Sequence, residues 1–172
     1  MKKMKRLLAG IMVLAMLTAC GGTGNDAATA KFEGKVEQAY MTKLNEKFGE
    51  NFENDAAIKK LAVEHIEEMA NNETLSMDEL WKKEELSEKA QNWVMICYDV
   101  NQGTGKAYVK SSYEAGKAET ITPDETTIKA FLNLAQMKRG QVGNTAKFTA
   151  LGVGAKTING KTYVAIGFRV EG

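Results

Sequence analysis

The chain has 172 residues, 44% hydrophobic and 26% charged, with 23 basic and 22 acidic side chains for a formal net charge of +1. So even a balance gives no electrostatic reason to expect nucleic-acid binding, which rests on clustered lysine and arginine neutralising phosphates. A single histidine, His65, excludes a metal site built from two, and two cysteines, Cys20 and Cys97, allow at most one disulfide.

At the start of the chain, Lys2, Lys3, Lys5 and Arg6 precede an apolar run from Leu7 to Leu17, and small residues follow. A spanning helix needs about 20 apolar residues, so this run is too short and has the layout of a secretory signal with a cytoplasmic basic end. The tetrad Leu17-Thr18-Ala19-Cys20 resembles the lipobox of bacterial lipoproteins. That resemblance implies a signal peptide over 1–19, cleavage before Cys20, and diacylation of the cysteine thiol. Buried acyl methylenes contribute about 0.8 kcal/mol each, so the anchor would hold the protein stably on the extracytoplasmic face of a membrane in the cell envelope. The signal carries four of the 23 basic side chains and none of the 22 acidic ones, leaving 19 against 22, or −3, for the mature domain. Lipidation also removes Cys20 from any disulfide. Cys97 lies in the run Trp93-Val-Met-Ile-Cys-Tyr-Asp-Val100 and reads as a small buried hydrophobe rather than a reactive thiol.

Residues 20–30 are small and polar and read as the lipidated cysteine followed by a flexible tether. The remainder, 31–172, suits one domain that buries roughly two thirds of its unfolded surface. Phe32, Val36, Tyr40, Leu44 and Phe48 predict a first amphipathic helix, interrupted at Gly49 and Asn51. Asn54 or Asp55 can cap a second, whose apolar positions are Ile58, Leu61, Ala62, Ile66 and Met69, closed by Asn71-Asn72. Ser76-Met-Asp-Glu79 has capping-box spacing before a short helical piece. Gln91 to Val100 reads as a buried strand ended by Asn101–Gly105. The stretch from Lys106 to Thr120 is ambiguous, with Tyr108, Val109 and Tyr113 hinting at a weak strand. Thr122-Pro-Asp-Glu125 starts a helix with apolar Ile128, Phe131, Leu132 and Ala135, followed by a basic loop from Lys138 to Gly143. Phe148–Ile158 and Lys161–Val170 flank Asn159-Gly160 as a tight hairpin. Helices followed by strands predict an α+β class with an antiparallel sheet covered by helices.

Two separated stretches and a link between them resemble the CAP superfamily (cysteine-rich secretory, antigen five and pathogenesis-related, or SCP-like, proteins) in its compact bacterial form. They are Asn54–Met69 with its Ala62-x-x-His65-x-x-x-Met69 pattern; Ile121 through Lys138-Arg139 and Phe148-Thr-Ala-Leu-Gly-Val-Gly154 to Phe168; and Gln91-Asn92-Trp93-Val94 between them. The resemblance covers roughly Phe32 to Arg169. It implies a three-layer α-β-α sandwich with a central antiparallel sheet and a surface cleft, which in many members holds two histidines and two acids. His65 matches the first histidine. Gln91 stands where the family motif has glutamate, Asn92 matches, and Lys138, or Arg139 in another alignment, stands at the second histidine. A neutral amide and a cation in those places imply a cleft that repels metal and accepts an anion or a polar neutral ligand, so neither metal nor cofactor is expected.

His65 also falls on the apolar stripe Ile58, Leu61, His65, Met69, which makes an inward structural histidine the competing reading. Gly152-Val-Gly154 lacks the lysine–serine ending of a phosphate loop and reads as close backbone packing. Trp81 and Trp93 read as packing residues. No Gly-x-Ser-x-Gly elbow is present. The expected function is therefore a membrane-anchored, extracytoplasmic binding module with a degenerate cleft of His65, Gln91, Asn92 and Lys138, its ligand a lipid, peptide, wall fragment or protein. The alternative is an envelope hydrolase using His65 with acidic residues. A third reading is an envelope protein that only scaffolds.

Overall fold

The computed structural model describes residues 25–114 and 120–172, so the expected signal peptide and Cys20 lie outside it. Helix α1 spans Asn25–Phe48 and buries Phe32, Val36, Tyr40 and Leu44 along one stripe. Residues 25–30, expected as tether, form its first turns instead. Ala27, Ala28 and Ala30 are strong helix formers, so the helix propagates outward from the packed part although these alanines are exposed. Gly49, at φ 70°, ends it, and the amides of Gly49 and Glu50 donate to the Asn45 carbonyl.

Helix α2 spans Ala56–Met69. Its cap is Asp55, whose Oδ1 accepts from the amides of Ala57 and Ile58 at 3.0 Å each. A 3₁₀ turn, Asp78–Leu80, follows; Ser76 and Glu79 exchange capping-box hydrogen bonds across it. Helix α3 spans Glu125–Val142 from the Asp124 cap. Lys138 and Arg139, expected in a loop, are helical because Leu134, Lys138 and Val142 continue the inward stripe at i, i+4 spacing until Gly143 ends it.

The strands are β1 Trp81–Ser87, β2 Ala90–Ile96, β3 Tyr98–Val100, β4 Ala107–Val109, β5 Ser111–Glu114, β6 Lys147–Ile158 and β7 Lys161–Glu171. The strand expected over 91–100 is broken at Cys97. There the chain leaves β7 to form the separate β3–β4 ribbon, and β5 resumes pairing with β7. Strand β7 is the centre of the main sheet and every pairing in it is antiparallel. β6 lies along one side of β7. On the other side β2 pairs with residues 165–171 and β5 with 161–163, and β1 lies outside β2. Asn159 (φ 52°) and Gly160 (φ 77°) make the β6–β7 turn, as the Asn-Gly pair predicts. The class is α+β.

Alternation along the strands sends side chains to two cores. Met95, Cys97, Leu151, Val153, Val164, Ile166, Phe168 and Val170 meet α1 and α3. Val94, Ile96, Ala150 and Ala165 meet Ile58, Leu61, Ala62 and Ile66 of α2, with Leu75 and Leu80 beside them. On the α2 side the sheet is floored by glycine. A Cβ on Gly152 would stand 2.5 Å from Ile58 Cβ, and one on Gly167 2.6 Å from Ile58 Cγ2; one on Gly154 would stand 2.9 Å from Ala62 Cβ. Close packing, and not phosphate binding, is what these glycines serve.

The two edges of the sheet differ. The outer edge of β6 is closed by other parts of the chain. Asn54 accepts from the Val153 amide (2.8 Å) and donates to its carbonyl (3.0 Å), and the Asp55 amide donates to the Leu151 carbonyl (2.9 Å). Glu37 and Glu33 of α1 accept from the amides of Ala155 (3.2 Å) and Thr157 (2.6 Å). Burial pushes the Glu37 carboxyl above its ordinary range against the opposing pull of Lys59, whose ammonium donates to it at 2.6 Å. The outer edge of β1, by contrast, has no strand beside it among the described residues.

Candidate functional site

Strand β1 was not expected from the sequence, and it supplies one wall of a groove between the sheet and α3. Trp81 and Lys83 share a face of the sheet with their β2 partners Met95 and Trp93, the face turned to α3. Phe131 of α3 stacks on Trp81 (6.4 Å between centroids, 7° between planes), which fixes that indole at the margin of the core. The Trp93 indole N–H donates to Gln91 Oε1 at 3.0 Å. Above the Trp93 ring stand two ammonium groups, Lys138 Nζ at 4.2 Å and Lys83 Nζ at 5.7 Å from its centroid. Leu134, one turn before Lys138, and Met77 and Asp78 complete a groove of about 410 Å³.

Each lysine on an indole face gains about 0.5–1 kcal/mol where partly solvated, while its remaining N–H donors stay free for an anion. Lys83 also pairs with Glu85. Lys138 meets no carboxylate among the described residues. The groove therefore offers flat apolar walls and an uncompensated cation. Its lining contains no serine, cysteine or histidine.

The four residues expected to line one cleft are divided by the sheet. Gln91 and Lys138 meet at Trp93 on the α3 face. Asn92 points to the α2 face and is fully buried. It donates to Glu84 (2.8 Å) and accepts from Arg169 Nε (2.9 Å), and Arg169 in turn reaches the cap residue Asp55 (3.1 Å). This is a structural tie between sheet and helix. His65 lies ten residues beyond Asp55, about 15 Å along the helix at 1.5 Å per residue. His65 and Asn92 thus lie on the α2 side of the sheet, while on the α3 side Lys138 lines the groove and Gln91 holds Trp93.

His65 is 2% exposed. Its polar neighbours are the Glu68 carboxylate, 4.0 Å from Nδ1, the Lys82 ammonium and the Leu80 backbone, and neither ring nitrogen makes a well-formed hydrogen bond among the described residues. Burial holds the imidazole below its ordinary value of 6.5. Cys97 is fully buried on the opposite face, and burial pushes its thiol up to about 12. A Cys97–His65 dyad is ruled out by the sheet between them. The described residues contain no cluster of three or more histidine, cysteine, aspartate or glutamate side chains placed to hold a metal ion, and no helix long and apolar enough to cross a membrane.

Sequence reasoning named Lys138 and missed Trp81, Lys83 and Trp93 as its companions. Leu134 and Lys138 at i, i+4 on α3, and Trp81 and Lys83 at i, i+2 on one strand face, were the available signal. Fold and groove together define an α+β domain with an aromatic and cationic groove at the open edge of its sheet. Among known proteins, no family model, curated protein or solved structure matches the chain.

Proposed function

We propose that this chain is an extracytoplasmic lipoprotein, anchored through Cys20, whose CAP-like domain binds a ligand rather than turning one over. In this reading the two helix layers and the sheet between them form the three-layer α-β-α sandwich that the CAP resemblance implies. The observation that carries the binding role is Lys138 set over Trp93 beside Trp81, a cation without a carboxylate partner among the described residues on an apolar floor. Such a groove selects a ligand that joins an anionic group to an apolar or flat one. The hydrolase reading draws no support from His65, which is enclosed on the other side of the sheet from the groove.

Trp81 and Trp93 are the two tryptophans of the chain, so intrinsic fluorescence reports on the groove. Anilinonaphthalene sulfonate, an aromatic anion, should quench it saturably, and Lys138→Glu should weaken that binding about tenfold, or 1.4 kcal/mol. Binding unaffected by Lys138→Glu, or no binding, overturns the groove as the site. The anchor is tested separately. Cys20→Ser should move the protein from the membrane fraction to the soluble one, and continued membrane association rejects lipid anchoring through that residue.

A further inference from the structure

The contrast between the two sheet edges bears on what the groove holds. Edge strands present unpaired backbone donors and acceptors, and proteins normally close or blunt them. Here β6 is closed by Asn54, Asp55, Glu37 and Glu33, whereas β1 carries no strand on its outer side among the described residues. Trp81 and Lys83, two of the groove's lining side chains, belong to that open strand. A chain laid beside β1 at the ordinary inter-strand spacing of about 4.8 Å would extend the sheet and direct every second side chain to the face where Trp81, Lys83 and Lys138 stand.

We infer that the groove is a strand-addition site for an extended acidic peptide, in which main-chain hydrogen bonds to β1 give affinity and the groove reads alternate side chains. This rests on the groove being the binding site. The cation left without a carboxylate sets the sequence: Lys83 is already paired with Glu85 and Asp78 stands at the rim, so a single carboxylate belongs at Lys138, and two residues along the same face an apolar or aromatic side chain belongs against Trp81. A second copy of this chain is a poor occupant. A two-fold axis normal to the sheet sets one β1 residue opposite its own copy. At the middle of the strand that residue is Lys82, Lys83, Glu84 or Glu85, so the central pair carries like charges. A foreign strand escapes this constraint.

The test uses the full chain in mild detergent and follows tryptophan fluorescence. The probe is a blocked peptide, Thr-Phe-Thr-Glu-Thr-Val-Thr-Glu, free of tryptophan. Two control peptides accompany it, one with lysine for each glutamate, the other N-methylated at alternate residues so that its side chains remain but its strand pairing is lost. Saturable binding of the probe is expected, with both controls and the Lys138→Glu protein weakened by roughly tenfold. Equal binding of the N-methylated peptide overturns strand addition and leaves the groove as a site for smaller ligands. No response to the probe while the sulfonate dye still binds overturns the peptide as ligand class. If dye and probe both fail, the groove itself is rejected along with the inference.

Discussion

His65 illustrates how a residue that invites a functional reading can be occupied by the fold. It sits on the inward stripe of α2 with Leu80 beside it, and burial disfavours its protonated form. In the unfolded chain it titrates near 6.5, above its value in the folded protein. As pH falls below that value the unfolded state takes up a proton that the folded state resists, so this contribution lowers stability on acidification. Glu37 acts in the opposite sense, because its raised carboxyl takes up a proton more readily in the folded state. The two are separated by substitution. His65→Leu should flatten the loss of urea stability between about pH 7 and 5 relative to the native chain, with little cost at neutral pH because neither ring nitrogen is well bonded. An unchanged pH slope would mean that His65 is solvated and titrates freely. Of the residue-scale readings, burial of His65 and Cys97 was legible because periodicity and apolar runs report burial directly. The division of Gln91 and Asn92 between faces follows from strand alternation. Gln91's partnership with Trp93 was not legible, because it depends on which face α3 covers.

At the scale of elements, the seating of α2 on glycine is the contact most sensitive to added volume. Gly152→Ala would drive a methyl into Ile58, and overpacking of this kind costs about 1–3 kcal/mol. Gly34, exposed in α1 with open space where its Cβ would lie, is the matched control: Gly34→Ala should stabilise by about 0.5–1 kcal/mol. Chemical denaturation of both variants checks the contrast, and an equal effect at the two sites would mean that α2 stands further from the sheet. The Gly-Val-Gly stretch, the Asn-Gly hairpin and the capped helices were readable because each rests on local chemistry. Strand β1 was not. Its sequence, Trp-Lys-Lys-Glu-Glu-Leu-Ser, lacks the alternation of a half-buried strand, since an edge strand whose last five residues are exposed has little apolar side to show. The same cause hid the groove, because β1 forms one wall of it. The end of α3 was misread for a different reason. Lys138, Arg139 and Gly140 have a loop's composition, but packing of Leu134 and Val142 carries the helix through them.

For the whole molecule, the decisive arrangement is that the strand at the centre of the sheet serves both cores. Phe168 faces the aromatic cluster of Phe131 and Phe148, and its neighbour Gly167 lies under Ile58, so β7 serves both faces at once. The sequence conveyed the α+β class because helices and hairpin are local features, but it could not convey that β7 is central, because strand order depends on contacts between distant residues. That centrality has a consequence for how the protein comes to be folded. β7 follows in the chain every strand it pairs with, so β2, β5 and β6 emerge during synthesis or export before the element that joins them exists. The contacts that seal β6 lie far apart in sequence, since Glu33 meets Thr157 and Glu37 meets Ala155. High sequence separation slows folding, and the strand that joins this sheet is the last of its strands to appear. Synthesis delivers the central strand last, so the main sheet cannot close until the chain is nearly complete.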